Sequence, residues 1–278
     1  MFAPKYSFHT HTYRCGHAEG DIEDYIKLAI SHNYFLLGIS EHVCYQDRPN
    51  KSPGMSYSYL DNYVETYKSV YEKYWQKIEI HLGFECEFYE KCEDYYISLL
   101  REHSIEYLIC GQHFHYSLDK GIESYFFLDK HDDLAMIRRY RDDVIKAIRS
   151  GLFFYIAHPD WFMMFVSKYT PEIEEVFGSI IDEAIKYDLP LELNISGYGK
   201  AERNMKIGTI GHPFKPFWEL VKKKHAKVIY GGDYHAFENF DREEWLIKYS
   251  KLVEEVGIEF VDSKVEFEKY RVRIKKFL

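Results

Sequence analysis

The sequence predicts an α/β protein: an irregular, distorted (β/α)7 barrel resembling a TIM barrel, formed as a single domain. Three observations carry this expectation. Seven short apolar runs alternate with longer amphipathic segments, the pattern of strands buried on both faces and joined by crossover helices. No stretch rich in Pro, Gly or Ser divides the 278 residues, and no repeat of fixed period is present. Six of the seven runs lead into histidine, aspartate or glutamate. Functional groups at nearly every strand end favour a closed barrel over an open sheet, in which a ligand meets only the switch point.

The predicted strands are Tyr6–His11, Phe35–His42, Ile78–Glu85, Tyr107–His113, Phe153–Asp160, Leu189–Ile195 and Val228–His235. The helices between them follow from apolar stripes at 3.6 spacing. Asp21–His32 aligns Ile22, Ile26, Ala29 and Ile30, and Tyr59–Trp75 aligns Leu60, Tyr63, Val64, Tyr67, Val70, Tyr71 and Tyr74. Asp133–Arg149 uses Ile137, Val144, Ile145 and Ile148, with Gly151 as a C-terminal cap. Glu172–Lys186, Phe214–Lys224 and Arg242–Glu255 complete the set. The alternating order predicts a parallel sheet with right-handed crossovers, which gathers every strand C-terminus at one face.

Composition narrows the function classes. Hydrophobic residues are 46% and charged residues 29%, ordinary for a globular protein, and the 18% aromatics fall at helical spacing as core. A net charge of −9 argues against nucleic acid as main partner, and Lys222–Lys224 is expected to be a solvated helix face. The five cysteines form no CxxC pair. The N-terminal MFAPKYSFHTHT lacks the basic-then-apolar order of a signal peptide, and Leu152–Val166 is broken by His158, Pro159 and Asp160. A cytoplasmic protein without membrane contact is the expectation. No Walker loop, GxGxxG or Ser/His/Asp arrangement appears.

The strand-end residues have the mixture of imidazole and carboxylate that binds metal, and Zn, Mn or Fe suits it. His9 and His11 alternate on one strand, so both leave the same face. His17 follows in RCGH. Of Glu41 and His42, one points inward and the other away, with His42 the favoured ligand. Glu85 and Glu87 share a face. A carboxylate buried there must be paired or coordinated, and it can bridge two cations as a neutral imidazole cannot. His113 and His115 share a face too, with His113 the better ligand and His115 directed at substrate. His158 lies in IAHPD, and Asp233 and His235 form a second same-face pair after Gly231-Gly232. His32, His81, His103, His131, His212 and His225 are assigned structural roles.

The segments FHTHTYRCGHAEG, GISEH, LGFECEF, ICGQHF, IAHPD, LELNISG and GGDYH, in this order across about residues 6–240, resemble the PHP (polymerase and histidinol phosphatase) superfamily. Within it they look like the histidinol-phosphate phosphatase group. The resemblance implies a distorted (β/α)7 barrel with three divalent metal ions. One ion would take His9, His11, Glu85 and Asp233. A second would share Glu85 and add His113 and His158, and a third would take His17, His42 and His235. It also implies hydrolysis of a small phosphate monoester, L-histidinol phosphate in that group, by a hydroxide bridging two cations, with Glu85, Asp233 and His235 as the catalytic set. Family phosphatases often carry one arginine just after the NxSG segment, and some carry another a few residues beyond the His-x-Asp of the fifth strand. Here those places read Tyr198-Gly199-Lys200 and Phe162-Met163-Met164. Arg14, His115, Lys200 and Arg203 are therefore the candidates to orient substrate, although lysine binds phosphate only as a point charge.

Three other readings compete. Metal amidohydrolases also begin with HxH, but that class bridges its metals with a modified lysine where this chain has Glu85 and His113. An exonuclease, also found in the superfamily, fits poorly with the net charge of −9. A non-enzymatic scaffold does not explain ligands at six strand ends.

Overall fold

The computed structural model describes residues 4–46, 54–117, 121–124, 132–200 and 208–278. Strands β1 (Tyr6–Ser7), β2 (Leu36–His42), β3 (Glu79–Cys86) and β4 (Tyr107–Cys110) pair side by side in parallel. After the antiparallel hairpin β5 (Phe114–Ser117) and β6 (Gly121–Ser124), strands β7 (Leu191–Asn194) and β8 (Val228–Gly231) form a second parallel pair. The strand expected over Phe153–Asp160 is reduced to one bridging residue. Ile156 pairs with Cys110 on one side and Leu191 on the other, and so joins β4 to β7. The reason is local: His158 turns to a positive φ of 31° and Pro159 has no N–H, so no ladder can run on. A bridge between Thr10 and Tyr234 links the continuations of β1 and β8. The parallel sheet is therefore curled, and its register sets His42 opposite Glu85.

Helices α1 (Ile22–Ser31), α2 (Leu60–Tyr74), α3 (Glu93–Glu102), α4 (Leu134–Ser150), α5 (Pro171–Lys186), α6 (Lys215–Lys223), α7 (Glu243–Val256) and α8 (Ser263–Ile274) accompany the sheet. Asp21 caps α1 in a reciprocal box with Asp24, and Asp133 caps α4, which ends at Gly151 in the left-handed conformation. Helices α3 and α8 and the β5–β6 hairpin were not expected from the sequence. Helix α8 packs Phe267 against Phe8, Tyr107 and Phe154. Its Tyr270 hydroxyl accepts from the Leu108 N–H at 3.1 Å and donates to the Leu152 carbonyl at 3.1 Å. All five cysteines are free, and among the described residues no helix is long and apolar enough to cross a membrane.

Beside Phe267 of α8, at 4.5 Å between ring centroids, His81 lies between two carboxylates, 2.8 Å from Glu106 Oε2 and 2.9 Å from Glu79 Oε1. Burial opposes a charge on His81, but Glu106 and Glu79 outweigh it and raise its pKa. The hydrogen bond to His81 lowers Glu79 to about 2, and Glu106 is lowered too, His81 overcoming the effect of burial there. The histidine contribution is complete below its unfolded pKa of ~6.5 and fades as pH rises through the raised folded value. The carboxylate contributions are present above ~4.3 and fade as pH falls through the lowered values. The advantage in Tm of the natural protein over His81→Gln should therefore be largest between pH ~4.3 and ~6.5 and shrink as pH rises above that window. A difference that does not vary with pH would show that this cluster does not titrate as described.

Candidate metal centre

The C-terminal ends of the strands deliver their polar groups to one buried cluster. His9 and His11 follow β1, Glu85 lies near the end of β3, His158 follows the Ile156 bridge, and Asp233 follows β8; all five are almost fully buried. His9 Nε2 lies 3.1 Å from His11 Nε2, 3.4 Å from Glu85 Oε2 and 3.5 Å from Asp233 Oδ1. His11 Nε2 is 3.4 Å from Glu85 Oε2 and 3.3 Å from Asp233 Oδ1. Glu85 faces two groups at once: Oε2 is 2.9 Å from His42 Nδ1, and Oε1 is 2.9 Å from His158 Nε2 and 3.8 Å from His113 Nε2. Nearer the surface, His17 Nε2 and His235 Nε2 are 3.1 Å apart, and the His17 and His42 rings stack at 5.2 Å.

Several features fit cations at this place. Donor atoms of His9, His11 and Asp233, of His9, Glu85 and His158, of His11, His42 and Glu85, and of His17, His42 and His235 each lie within 4.8 Å of one another. His11 Nδ1 and His158 Nδ1 are buried without a hydrogen-bond partner, an arrangement that is costly unless something else satisfies it. Burial disfavours charge on His9, yet Glu192, Glu85 and Asp233 outweigh it and raise its pKa. The cluster thus calls for positive charge. Burial and neighbouring imidazoles lower His17 and His42 to about 4, which leaves them neutral and able to ligate. Asp233 and His158 both have positive φ, 48° and 31°, strain of the kind that clusters at functional sites. A Cβ on Gly111 would lie 1.8 Å from Glu85 Oε1, so only glycine leaves room for that carboxylate.

Other side chains depart from their expected places. Glu41 does not point away to solvent. It is buried behind His11, with Oε1 3.4 Å from His11 Nδ1, and Oε2 accepts from the Thr12 N–H at 3.1 Å and the Thr12 hydroxyl at 2.6 Å. Glu87 lies 3.2 Å from His113 Nδ1, and burial raises it to about 8. Cys15 contributes a donor beside His11 and His235. Arg14 is held by Asp21, Asn62 and Thr66, and His115 Nδ1 lies 2.6 Å from Asp143 Oδ2. Neither Arg14 nor His115 lines the cavity above the cluster, and Arg203 lies outside the described residues.

That cavity, about 550 Å³, is walled by Phe114, Trp161, Ser196, Lys200, Arg242 and Trp245. Lys200 Nζ is 3.0 Å from Asp233 Oδ2. The Arg242 guanidinium lies over the Trp245 ring at 4.6 Å, and a Cβ on Gly199 would come within 2.3 Å of that ring. The sequence marks Arg242 only as the start of a helix, and Glu192, fully buried on β7, sits within an apolar run. A carboxylate flanked by two buried leucines was the available signal for Glu192.

Residues 7–196, more than half of the chain, match the family model described as PHP domain. The chain belongs to this family. The Probable histidinol-phosphatase of Deinococcus radiodurans is 27% identical over 158 residues, 55% of this chain and 59% of the relative. The chain thus matches about three fifths of that relative's length. Two solved structures share the fold. The provisionally assigned histidinol phosphatase of Listeria monocytogenes has a TM-score of 0.72 at 21% identity, covering 86% of this chain and 98% of the other. The histidinol phosphate phosphatase of Lactococcus lactis, solved with zinc, L-histidinol and phosphate, has a TM-score of 0.68 at 16% identity, covering 92% and 95%.

Proposed function

We propose that this PHP chain is a metal-dependent phosphate monoester hydrolase of the histidinol-phosphatase type. Residues 1–278 would form one domain, a (β/α)7 barrel in which Ile156 stands for the fifth strand. The observation that carries the reading is Glu85, whose two oxygens face separate sets of imidazoles, as a carboxylate bridging two cations must. His9, His11, Glu85 and Asp233 would hold one divalent ion, Glu85, His113 and His158 a second, and His17, His42 and His235 a third. Zn, Mn and Fe all suit these donors. Bound cations supply Lewis acidity toward phosphoryl oxygen and water.

The protein groups do the rest. Asp233 and His235, with Oδ1 and Nδ1 3.2 Å apart, would form the catalytic set with Glu85 beside the reacting phosphoryl group. Lys200 and Arg242 would orient its remaining oxygens and offset their charge. Phe114, Trp161 and Trp245 would enclose the leaving group and exclude water. Histidinol phosphate is the first ester to test, because the Lactococcus enzyme was solved with L-histidinol and phosphate. The five free cysteines fit a reducing cytoplasm.

Metal analysis of the purified chain should find three divalent ions per molecule, and fewer than two would contradict the bridging role of Glu85. Lys200→Ala and Arg242→Ala should each raise KM for a phosphate ester about tenfold, ~1.4 kcal/mol, while bound metal is unchanged. Unaltered kinetics in both variants would remove these two side chains from substrate recognition.

A further inference from the structure

Three hydrogen-bond donors from different parts of the chain converge on Glu192, which is wholly buried. His9 Nδ1 lies 2.8 Å from Oε1. The His158 N–H donates to Oε2 at 3.1 Å, and Asn194 Nδ2 donates to the same oxygen at 3.1 Å. Asn194 in turn accepts from the Gly197 N–H at 3.2 Å. Only a carboxylate accepts from all three donors; an amide of the same shape must turn an NH2 toward one of them.

We infer that Glu192 is a positioning residue, which fixes the His9 tautomer and the His158 backbone together and so couples two parts of the metal centre. A carboxylate oxygen at Nδ1 requires the proton there, which leaves the Nε2 lone pair facing His11, Glu85 and Asp233. Without that oxygen the ring is free to carry its proton on Nε2, where it would block a cation. The other oxygen holds His158, on the opposite side of Glu85, at a backbone conformation with positive φ. Gly231 completes the arrangement from β8: a Cβ there would lie 1.8 Å from Glu192 Oε1. Gly231→Ala must therefore push the carboxylate off His9 without touching any proposed ligand.

The inference rests on the reading of this cluster as a metal centre, and its test uses metal binding and spectroscopy rather than turnover. Zinc titrations should show Glu192→Gln and Gly231→Ala binding their tightest two ions about 10–100-fold more weakly than the natural protein, the range for groups that orient metal-bound histidine. In the zinc-loaded natural protein, nitrogen-15 NMR should find His9 protonated at Nδ1 with a slowly exchanging proton. Circular dichroism confirms that the variants compared are folded, and the NMR readout needs no variant. His9 bound through Nδ1, or zinc affinities of Glu192→Gln equal to those of the natural protein, would overturn the role of Glu192. A natural protein that takes up no zinc would instead overturn the metal centre itself.

Discussion

Glu85→Gln should lose bound metal and lower kcat/KM for a phosphate monoester by at least about a thousandfold, ~4 kcal/mol of transition-state stabilisation. The size of the effect follows from the position of the side chain. One oxygen is 2.9 Å from His42 Nδ1 and the other 2.9 Å from His158 Nε2, so neither can become an NH2 without facing a ligand nitrogen. The amide also lacks the charge needed to hold two cations close together. Metal content and kinetics measured on one preparation check it. A variant that kept full metal and lost only activity would make Glu85 a participant in chemistry rather than a bridge.

Phe154→Ala should cost about 3–5 kcal/mol of stability, the range for emptying a large aromatic site in a core. Phe154 is 1% exposed. Its ring centroid lies 5.0 Å from that of Phe8, 5.1 Å from Tyr155, 5.3 Å from Phe267 and 5.4 Å from Tyr270. These rings come from the residue that follows β1, the Ile156 segment and α8, so the cavity would open where three parts of the chain meet. Urea unfolding checks the size, and Tm should fall by roughly 10 °C. The ring neighbours of Phe154 are Phe8, Tyr107, Tyr155, Phe267 and Tyr270, none of them a proposed ligand, so metal binding by the variant that remains folded should persist. A loss below ~1 kcal/mol would mean that the neighbouring rings collapse into the space.

The parts of this molecule that were legible in the sequence are those governed by local period and by strand polarity. The pair His9 and His11 needs only the alternation of extended chain, and parallel order brings the strand ends together; Asp233, past the end of β8, takes its place through a turn with φ of 48°. The rest depends on contacts between distant residues. The sequence offers Arg14 as a substrate contact, but Asn62 and Thr66 on α2 hold it, and His115 pairs with Asp143 on α4. Arg242 acquires its place through Trp245 and the absence of a side chain at Gly199, neither of which has a sequence pattern. The Phe153–Asp160 run is apolar enough for a strand, yet the turn at His158 that serves the site also ends the ladder. In α8 the apolar residues Phe267, Tyr270 and Ile274 are separated by charged ones, so its stripe is too sparse to stand out.

The most direct test of the central claim is phosphate release by metal-stripped protein from a panel of small monoesters, histidinol phosphate among them, with Zn, Mn or Fe restored one at a time. The account predicts no release without metal, release with at least one cation, and no recovery in Glu85→Gln. Release that is equal with and without metal, or none from any ester with any cation although the metals bind, would contradict it.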